Sequence, residues 1–258
     1  MDYVDLPTAK TARGVRLVVL DGVPSPWSQA AKGLLQLGDI PFVCVRSSAR
    51  RPEAWRWTGC DNAPVAVYDD EPPRTGWAEI LALAQRLAPS HTFAPREATD
   101  RAWMWGLCHE MMSERGLVWC RRLDIVHRSL VETDTALPRA AAQYLGAKYG
   151  YRGADDMVHV RARMREQLEL LASQLERRRS GDWTVFADGV TAVDIYLATA
   201  LETFLPHARE DYSNVHPVVH RAYVDGDAAL NRWLREQTPL VEHRDHVFAH
   251  VLKLPISL

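Results

Sequence analysis

Ser25 is a candidate catalytic residue because it lies between a predicted strand and the start of a predicted helix. The apolar run 15–20 predicts a buried strand, and the residues after Ser25 predict a helix that continues to Leu37. Ser25 takes the N-cap position of this helix and Pro26 its first position, where the missing N–H costs nothing. A helix start carries unpaired N–H groups and the positive end of the dipole, so it favours a carboxylate or a thiolate. Ser25 is therefore either a simple helix cap or a hydroxyl that faces a bound anion.

Pro64 is a second candidate, because proline is tolerated in a strand only at an edge or at the first residue, and Pro64 opens the apolar run 64–68. A cis bond between Ala63 and Pro64 would turn the backbone N–H and C=O of Ala63 outward. These groups would then pair with an extended ligand as an added strand does. An ordinary trans bond, which is far commoner, is the alternative.

The composition is that of a well-folded protein without an excess of charge. The chain has 258 residues, 47% of them hydrophobic, which suits one large domain or two modest ones. Its 31 basic and 33 acidic residues argue against binding nucleic acid or a membrane surface through bulk charge. No apolar run approaches the roughly 20 residues that a membrane span needs, and residues 1–14 lack the apolar core of a signal peptide. The four cysteines form no Cys-x-x-Cys pair, so we expect reduced thiols and a cytoplasmic protein.

Histidines recur at helical spacing in the last part of the chain. His243, His246 and His250 share one face of a predicted helix, and His216 and His220 are four residues apart. Pairs at this spacing can bind zinc, but no cysteine or carboxylate completes a recognisable site. We therefore predict no bound metal.

The first third of the chain alternates strand and helix patterns. The first two strands are joined through a helix, so we expect them to lie parallel in a right-handed crossover. A helix over 76–87, with Thr75 as its cap, completes this part. The apolar runs that predict strands are 16–20, 40–45 and 66–68.

The character of the sequence changes after a linker at 88–95, which contains two prolines and small polar residues. From Thr99 onward, hydrophobic residues recur at helical spacing. The helix pattern at 101–114 is rich in methionine and tryptophan, which are either core or the lining of an apolar pocket. Three glycines predict a polar loop that interrupts the helices: Gly146, Gly150 and Gly153.

A strong helix start in the second half is Thr191. Asp194, three residues later, can accept a hydrogen bond from the Thr191 backbone N–H, which is a capping box with Asp in the place of Glu. Val190 and Ile195 fit the hydrophobic staple that accompanies such a box. The pattern predicts a buried helix over 192–204 with a structural role.

Three motifs, taken in this order, resemble the glutathione transferase superfamily. They are SerProTrpSer at 25–28, AsnAlaProVal at 62–65 and GlyValThrAlaValAspIleTyrLeu at 189–197. The resemblance covers roughly residues 15–250. It implies a thioredoxin-like α/β domain over 15–89, followed by an all-α domain over 97–258. It also implies glutathione as co-substrate, a small apolar electrophile as second substrate, and a homodimer.

The resemblance places the catalytic residue just before the proline that begins the first helix, which is Ser25 here. Its hydroxyl would hydrogen-bond the glutathione sulfur and favour the thiolate, with Ser28 as the fallback. A serine cannot supply the sulfur nucleophile of thiol–disulfide exchange, so conjugation, isomerisation or thiolytic ether cleavage is expected. Arg50 is an alternative to Arg51 as the basic contact. The residues expected to bind glutathione are Ser25, Trp27, Arg51, Ala63, Pro64, Thr75 and Gly76.

One departure from the family pattern leaves two functions open. Members typically carry Glu/Gln-Ser at the start of the third helix, where this chain has Thr75-Gly76. The Thr75 hydroxyl and the Gly76 N–H can still bind a carboxylate. The acidic partner for the ligand's ammonium group is missing, unless a partner subunit or a nearby acid supplies it. The first hypothesis is a glutathione-dependent transferase, lyase or isomerase, and the second is a non-catalytic binding or scaffolding protein. The nearby acids are Asp69, Asp70 and Glu71.

Overall fold

A mixed sheet forms the first part of the computed structural model, which describes residues 2–48, 52–131, 137–177 and 182–258. Its strands are β1 (Asp2–Tyr3), β2 (Val15–Leu20), β3 (Phe42–Ser47) and β4 (Val65–Tyr68). Their order across the sheet is β1-β3-β2-β4. Strand β3 is parallel to β2, which confirms the predicted parallel pairing, and β4 is antiparallel to β2.

Helices cover both faces of this sheet. They are α1 (Leu6–Thr11), α2 (Pro26–Leu37), α3 (Glu53–Thr58) and α4 (Trp77–Leu87). Successive residues of a strand point to opposite faces. Leu17 and Val19 of β2 therefore join the large core with α2 and α4, whereas Val18 joins a smaller core with residues of α1 and α3.

The described chain after the sheet is helical. Its helices are α5 (Ala98–Met112), α6 (Leu117–Val131), α7 (Arg139–Tyr149), α8 (Ala154–Glu176), α9 (Ala192–Leu201), α10 (Pro217–Val224), α11 (Ala228–Glu236) and α12 (Thr238–Val247). Helix α9 is central, because all ten of its residues are buried and it packs against α2, α5 and α12. An α/β thioredoxin-like part followed by an all-α part confirms the predicted fold class. No helix within the described ranges is both long enough and apolar enough to cross a bilayer.

The start of α9 confirms the predicted capping box. Asp194 accepts hydrogen bonds from the backbone N–H and the hydroxyl of Thr191, at 2.7 and 3.0 Å, and from the N–H of Val185 at 2.8 Å. Helix α9 ends at Leu201 and not at the predicted residue 204. The chain tightens there, since the N–H groups of Thr203 and Phe204 bond three residues back.

Helices α1, α3 and α7 were not predicted from the sequence. Helices α1 and α3 have only six residues each, too few to establish a hydrophobic period. Helix α7 occupies the segment that its glycines predicted to be a loop. Gly146 lies inside this helix, where a Cβ atom would approach Val126 Cγ1 of α6 to 3.3 Å. Gly146 therefore lets α7 pack closely on α6 and does not interrupt the helix.

Close contacts fix the sheet part against the helical part. The Ala192 N–H donates to the Phe93 carbonyl at 2.9 Å, and the buried Tyr196 hydroxyl donates to the Trp77 carbonyl at 3.1 Å. A Cβ atom on Gly33 of α2 would lie 2.7 Å from Ile195 Cγ2, which is shorter than a van der Waals contact. Glycine at this position therefore lets α2 and α9 approach closely. These contacts hold the starts of α4 and α9 in a fixed relation to α2.

Candidate functional site

The strand register brings Ser25 and Pro64 to the same end of the sheet, at the carboxyl end of β2. Val65 of β4 lies opposite Val18 of β2, so Pro64 is beside the carboxyl end of β2, from which the chain leads to Ser25. The Ala63–Pro64 bond is cis, one of the two isomers that the sequence left open. Pro64 is buried and Ala63 is half-buried.

Thr75 and Gly76 run toward the same end of the sheet, because Arg74 pairs with Ala66 in an antiparallel bridge. The prediction that Thr75 caps α4 is wrong, since the N-cap is Gly76. The Gly76 N–H donates to Oε2 of Glu79 at 3.0 Å. A carboxylate of this chain therefore already holds the backbone donor that was expected to bind the ligand's carboxylate.

Ser25 occupies the predicted N-cap of α2, with an extended backbone (φ −62°, ψ 126°). Its carbonyl accepts the first helical hydrogen bond, from the Gln29 N–H at 2.8 Å. Its hydroxyl makes no capping hydrogen bond, so it leaves the first-turn N–H groups to another acceptor. Ser25 is only 3% exposed, which keeps bulk water away from its hydroxyl. Ser28, one turn on, is 1% exposed, and its buried hydroxyl has no partner.

Trp27 faces the helical part of the molecule. Its indole N–H donates to the Met112 carbonyl at 2.9 Å, and its ring stacks on Tyr149 with centroids 6.3 Å apart. Trp27 thus fixes the first turn of α2 against the ends of α5 and α7. Arg51, like its alternative Arg50, lies outside the described residues.

The nearby acids Asp69, Asp70 and Glu71 are all engaged by this chain. Hydrogen bonds from neighbouring arginines lower the pKa of the Asp70 and Glu71 carboxyls. None of the three is therefore in a position to pair with a ligand's ammonium group without breaking a contact. Their partners are the Gly14 N–H for Asp69, Arg13 for Asp70, and both Arg74 and Arg86 for Glu71.

The methionine-rich face of α5 belongs to the core and not to an open pocket. Four of its side chains are at most 2% exposed: Met104, Leu107, Met111 and Met112. Trp103 is 40% exposed and donates to Gln174 at 3.0 Å. Any cleft beside Ser25 therefore takes its walls from other helices.

Buried thiols offer no ready alternative to the serine. Burial raises the pKa of Cys44 to about 11 and that of Cys120 to about 11, and it raises the pKa of Cys108 further above its usual range. A thiol with a raised pKa is a poor nucleophile at neutral pH. All four cysteines are free.

The histidines have structural partners. His243 is fully buried, and its Nδ1 lies 2.6 Å from the Trp183 carbonyl. His246 and His250 stack on the Trp183 ring. Within the described residues, no group of three His, Cys, Asp or Glu side chains is placed to hold a metal ion.

Sequence reasoning missed a polar group that reaches this site from α6. Arg122 donates to the Tyr223 hydroxyl at 3.2 Å, and the Tyr223 hydroxyl in turn donates to the Pro24 carbonyl at 3.3 Å. Two adjacent arginines in the largely apolar segment 117–126, which also contains Asp124, were the available signal. Arg121 and Arg122 both contact Tyr223, which lies 102 and 101 residues away, and a local sequence pattern cannot predict contacts at that separation.

No protein-family model matches the sequence, and no curated protein matches it either. Solved structures do match over nearly the whole chain. A glutathione transferase family member from Pseudomonas fluorescens Pf-5 with two glutathione molecules bound has 12% identity and a TM-score of 0.62, and the match covers 96% of this chain and 97% of that one. A glutathione S-transferase from Methylobacillus flagellatus KT with glutathione bound has 13% identity and a TM-score of 0.58, covering 93% and 96%. A maleylacetoacetate isomerase from Anaeromyxobacter dehalogenans 2CP-1 has 14% identity and a TM-score of 0.54, covering 93% and 88%. The chain has the glutathione transferase fold.

Proposed function

We propose that this protein is a glutathione-dependent, transferase-like enzyme in which the Ser25 hydroxyl donates a hydrogen bond to the glutathione thiolate. The observation that carries the proposal is the Ser25 hydroxyl itself, which sits at a helix start and makes no capping bond. Structural neighbours with bound glutathione support the choice of ligand. A hydrogen bond in a site that excludes water stabilises a thiolate more than one in water does.

Stabilising the thiolate lowers the pKa of the glutathione thiol and raises the fraction of nucleophile at neutral pH. The sulfur would then attack an electrophilic carbon of a second substrate. Conjugation, isomerisation and thiolytic ether cleavage all begin with this step. We further propose that the working form is a homodimer, as the family resemblance implies, and that it is cytoplasmic, as the cysteine pattern favours.

The test is the ultraviolet absorbance of the glutathione thiolate, followed against pH in the complex. For the wild type we expect the thiol pKa of bound glutathione to lie about one unit or more below that of free glutathione. Ser25→Ala should return the pKa toward the free value and lower kcat/KM roughly 100-fold or more.

Ser28→Ala is the matched control, because it removes a hydroxyl one turn away that is buried and without a partner. It should leave the thiol pKa unchanged. A pKa that rises in Ser28→Ala and not in Ser25→Ala would assign the role to Ser28. No lowering of the thiol pKa in the wild type would rule out thiol activation.

The second candidate function is a non-catalytic binding or scaffolding protein with this fold. The observation that favours it is the Glu79 carboxylate on the Gly76 N–H, which places a negative charge where a carboxylate of glutathione was expected. Calorimetric titration with glutathione separates the two functions. No heat and no increase in the unfolding temperature at millimolar glutathione would favour the second.

A further inference from the structure

Arg122 of α6 is held between two tyrosines. Its guanidinium carbon lies 6.0 Å from the ring centroid of Tyr149 and 5.7 Å from that of Tyr223. It also donates a hydrogen bond to the Tyr223 hydroxyl at 3.2 Å. Arg122 is half-buried, and the two rings and the hydrogen bond limit where its guanidinium group can lie.

The same two tyrosines contact residues on either side of Ser25, one in the loop before α2 and one in the first turn of α2. Tyr223 donates to the carbonyl of Pro24, the residue before Ser25. Tyr149 stacks on Trp27, two residues after Ser25. Arg122 is therefore placed next to the loop that presents the Ser25 hydroxyl.

Among the described residues, the partners of Arg122 are neutral tyrosines. No carboxylate within the part of the chain that the structure describes forms an ion pair with it. The adjacent Arg121 shows the opposite arrangement, since it is 2% exposed, pairs with Asp124 at 3.2 Å and donates to the Thr203 carbonyl at 2.9 Å. A half-buried cation without a counter-charge is costly, and a bound anion removes that cost.

We propose that Arg122 binds a carboxylate of the second substrate, so that the electrophile is an anionic compound and not a purely apolar one. This inference rests on the proposed function, because it names the substrate class of the same site. A planar guanidinium binds a carboxylate through two parallel hydrogen bonds, and the two tyrosine rings hold it ready to do so. Arg122 would thereby orient the electrophilic carbon toward the glutathione sulfur.

The test uses two electrophiles that differ in one charge: a chloronitrobenzoate, with chlorine para and nitro meta to the carboxylate, and its methyl ester. In both, the glutathione sulfur forms a bond to the ring carbon, chloride leaves with the bonding pair, and the thiol proton passes to solvent. Rates are divided by the uncatalysed rate of each compound. Arg122→Gln should lower kcat/KM for the acid roughly 10- to 100-fold and change that for the ester less than about twofold.

Two further variants control for folding and for charge. Arg122→Lys keeps the charge without the planar fork, so it should give an intermediate loss for the acid. Arg165→Gln removes a partly exposed arginine of α8 that pairs with Glu169 and lies over the Trp233 ring, and it should affect neither compound. Equal losses for acid and ester in Arg122→Gln, or no loss for the acid, would overturn the proposal.

Failure of the proposed function has a different signature. If the wild type converts neither compound, the thiol chemistry is absent, and calorimetric binding of the acid and the ester then decides the role of Arg122. Acid binding that is lost in Arg122→Gln still supports an anion site. Equal binding of acid and ester, or no binding of the acid, rejects it.

Discussion

Helices α2 and α9 both begin with a hydroxyl-bearing residue, and they use it in opposite ways. Thr191 of α9 donates its hydroxyl and its backbone N–H to one carboxylate, that of Asp194. Ser25 of α2 makes no capping bond. Both residues are almost completely buried, at 0% and 3% exposure. Buried polar groups are normally paired. The Thr191 hydroxyl is already paired within the protein, whereas the Ser25 hydroxyl remains available to a ligand.

A serine or threonine at an N-cap can therefore have either a structural role or a catalytic one, and the residue type alone does not tell which. The same kind of pattern produced a finished hydrogen-bond cluster at α9 and an unused donor at α2. The hydrogen-bond partners of each hydroxyl distinguish the two roles, whereas the sequence pattern does not.

The largest effect is expected at α9, from Asp194→Ala. This change leaves the N–H groups of Val185 and Thr191 without an acceptor in a fully buried site. We expect a loss of about 3–5 kcal/mol in the free energy of unfolding, measured by denaturant titration. Asp245→Ala, at an exposed carboxylate, is the control and should cost about 0.5 kcal/mol or less. A small cost at Asp194 would mean that the capping box does little for α9.

Lys32 extends the comparison to a buried charge within α2. It is 2% exposed, and its Nζ donates to the Tyr3 hydroxyl at 2.9 Å and the Ser257 carbonyl at 2.7 Å, both neutral. Burial lowers the pKa of Lys32 to about 8, from 10.5. Between these values the folded state has released the proton and the unfolded state has kept it, so this group makes stability rise with pH.

The measurement is the difference in unfolding free energy between the wild type and Lys32→Met across pH 8 to 10. That difference should shift by about 2–3 kcal/mol in favour of the wild type as the pH rises. The comparison with Lys32→Met is needed because other buried groups act in the opposite sense. Burial raises the pKa of Tyr3 to about 12, for example, which costs stability above pH 10. A constant difference would show that Lys32 keeps its proton in the folded state.

The elements that local patterns determine could be predicted from the sequence. Strands β2 and β4, helix α2 and the start of α9 follow from hydrophobic runs and cap residues and lie where they were expected. Strand β3 begins two residues later than predicted, and the two-residue strand β1 was not predicted. The start of α4 was predicted wrongly. The Thr75 hydroxyl suggested that Thr75 is the N-cap, but the N-cap is Gly76, whose N–H donates to the carboxylate of Glu79. Arg122 could not be assigned at all, since its partner Tyr223 is 101 residues away.

A smaller effect tests whether Glu79 obstructs ligand binding. Glu79→Gln removes the negative charge but keeps an oxygen that can accept from the Gly76 N–H. Without the like charge, we expect the Kd for glutathione to fall about 3- to 10-fold, measured by calorimetry. The exposed Asp155→Asn serves as a control for the loss of one surface charge. Unchanged or weaker binding would place the ligand's carboxylate elsewhere.

The smallest effect is expected in the stability of Ser25→Ala, and it is the sharpest test of the comparison. The Thr191 hydroxyl donates to the buried Asp194 carboxylate, and such a hydrogen bond contributes about 1 kcal/mol or more, so Thr191→Ala should cost at least that much. The Ser25 hydroxyl caps nothing, and its loss should change the free energy of unfolding by about 0.5 kcal/mol or less. Denaturant titration of both variants without ligand gives the two values side by side. If Ser25→Ala costs as much as Thr191→Ala, the hydroxyl at the start of α2 has a structural role after all. A near-zero cost, combined with loss of thiol activation, would show that α2 leaves its N-cap hydroxyl to the ligand.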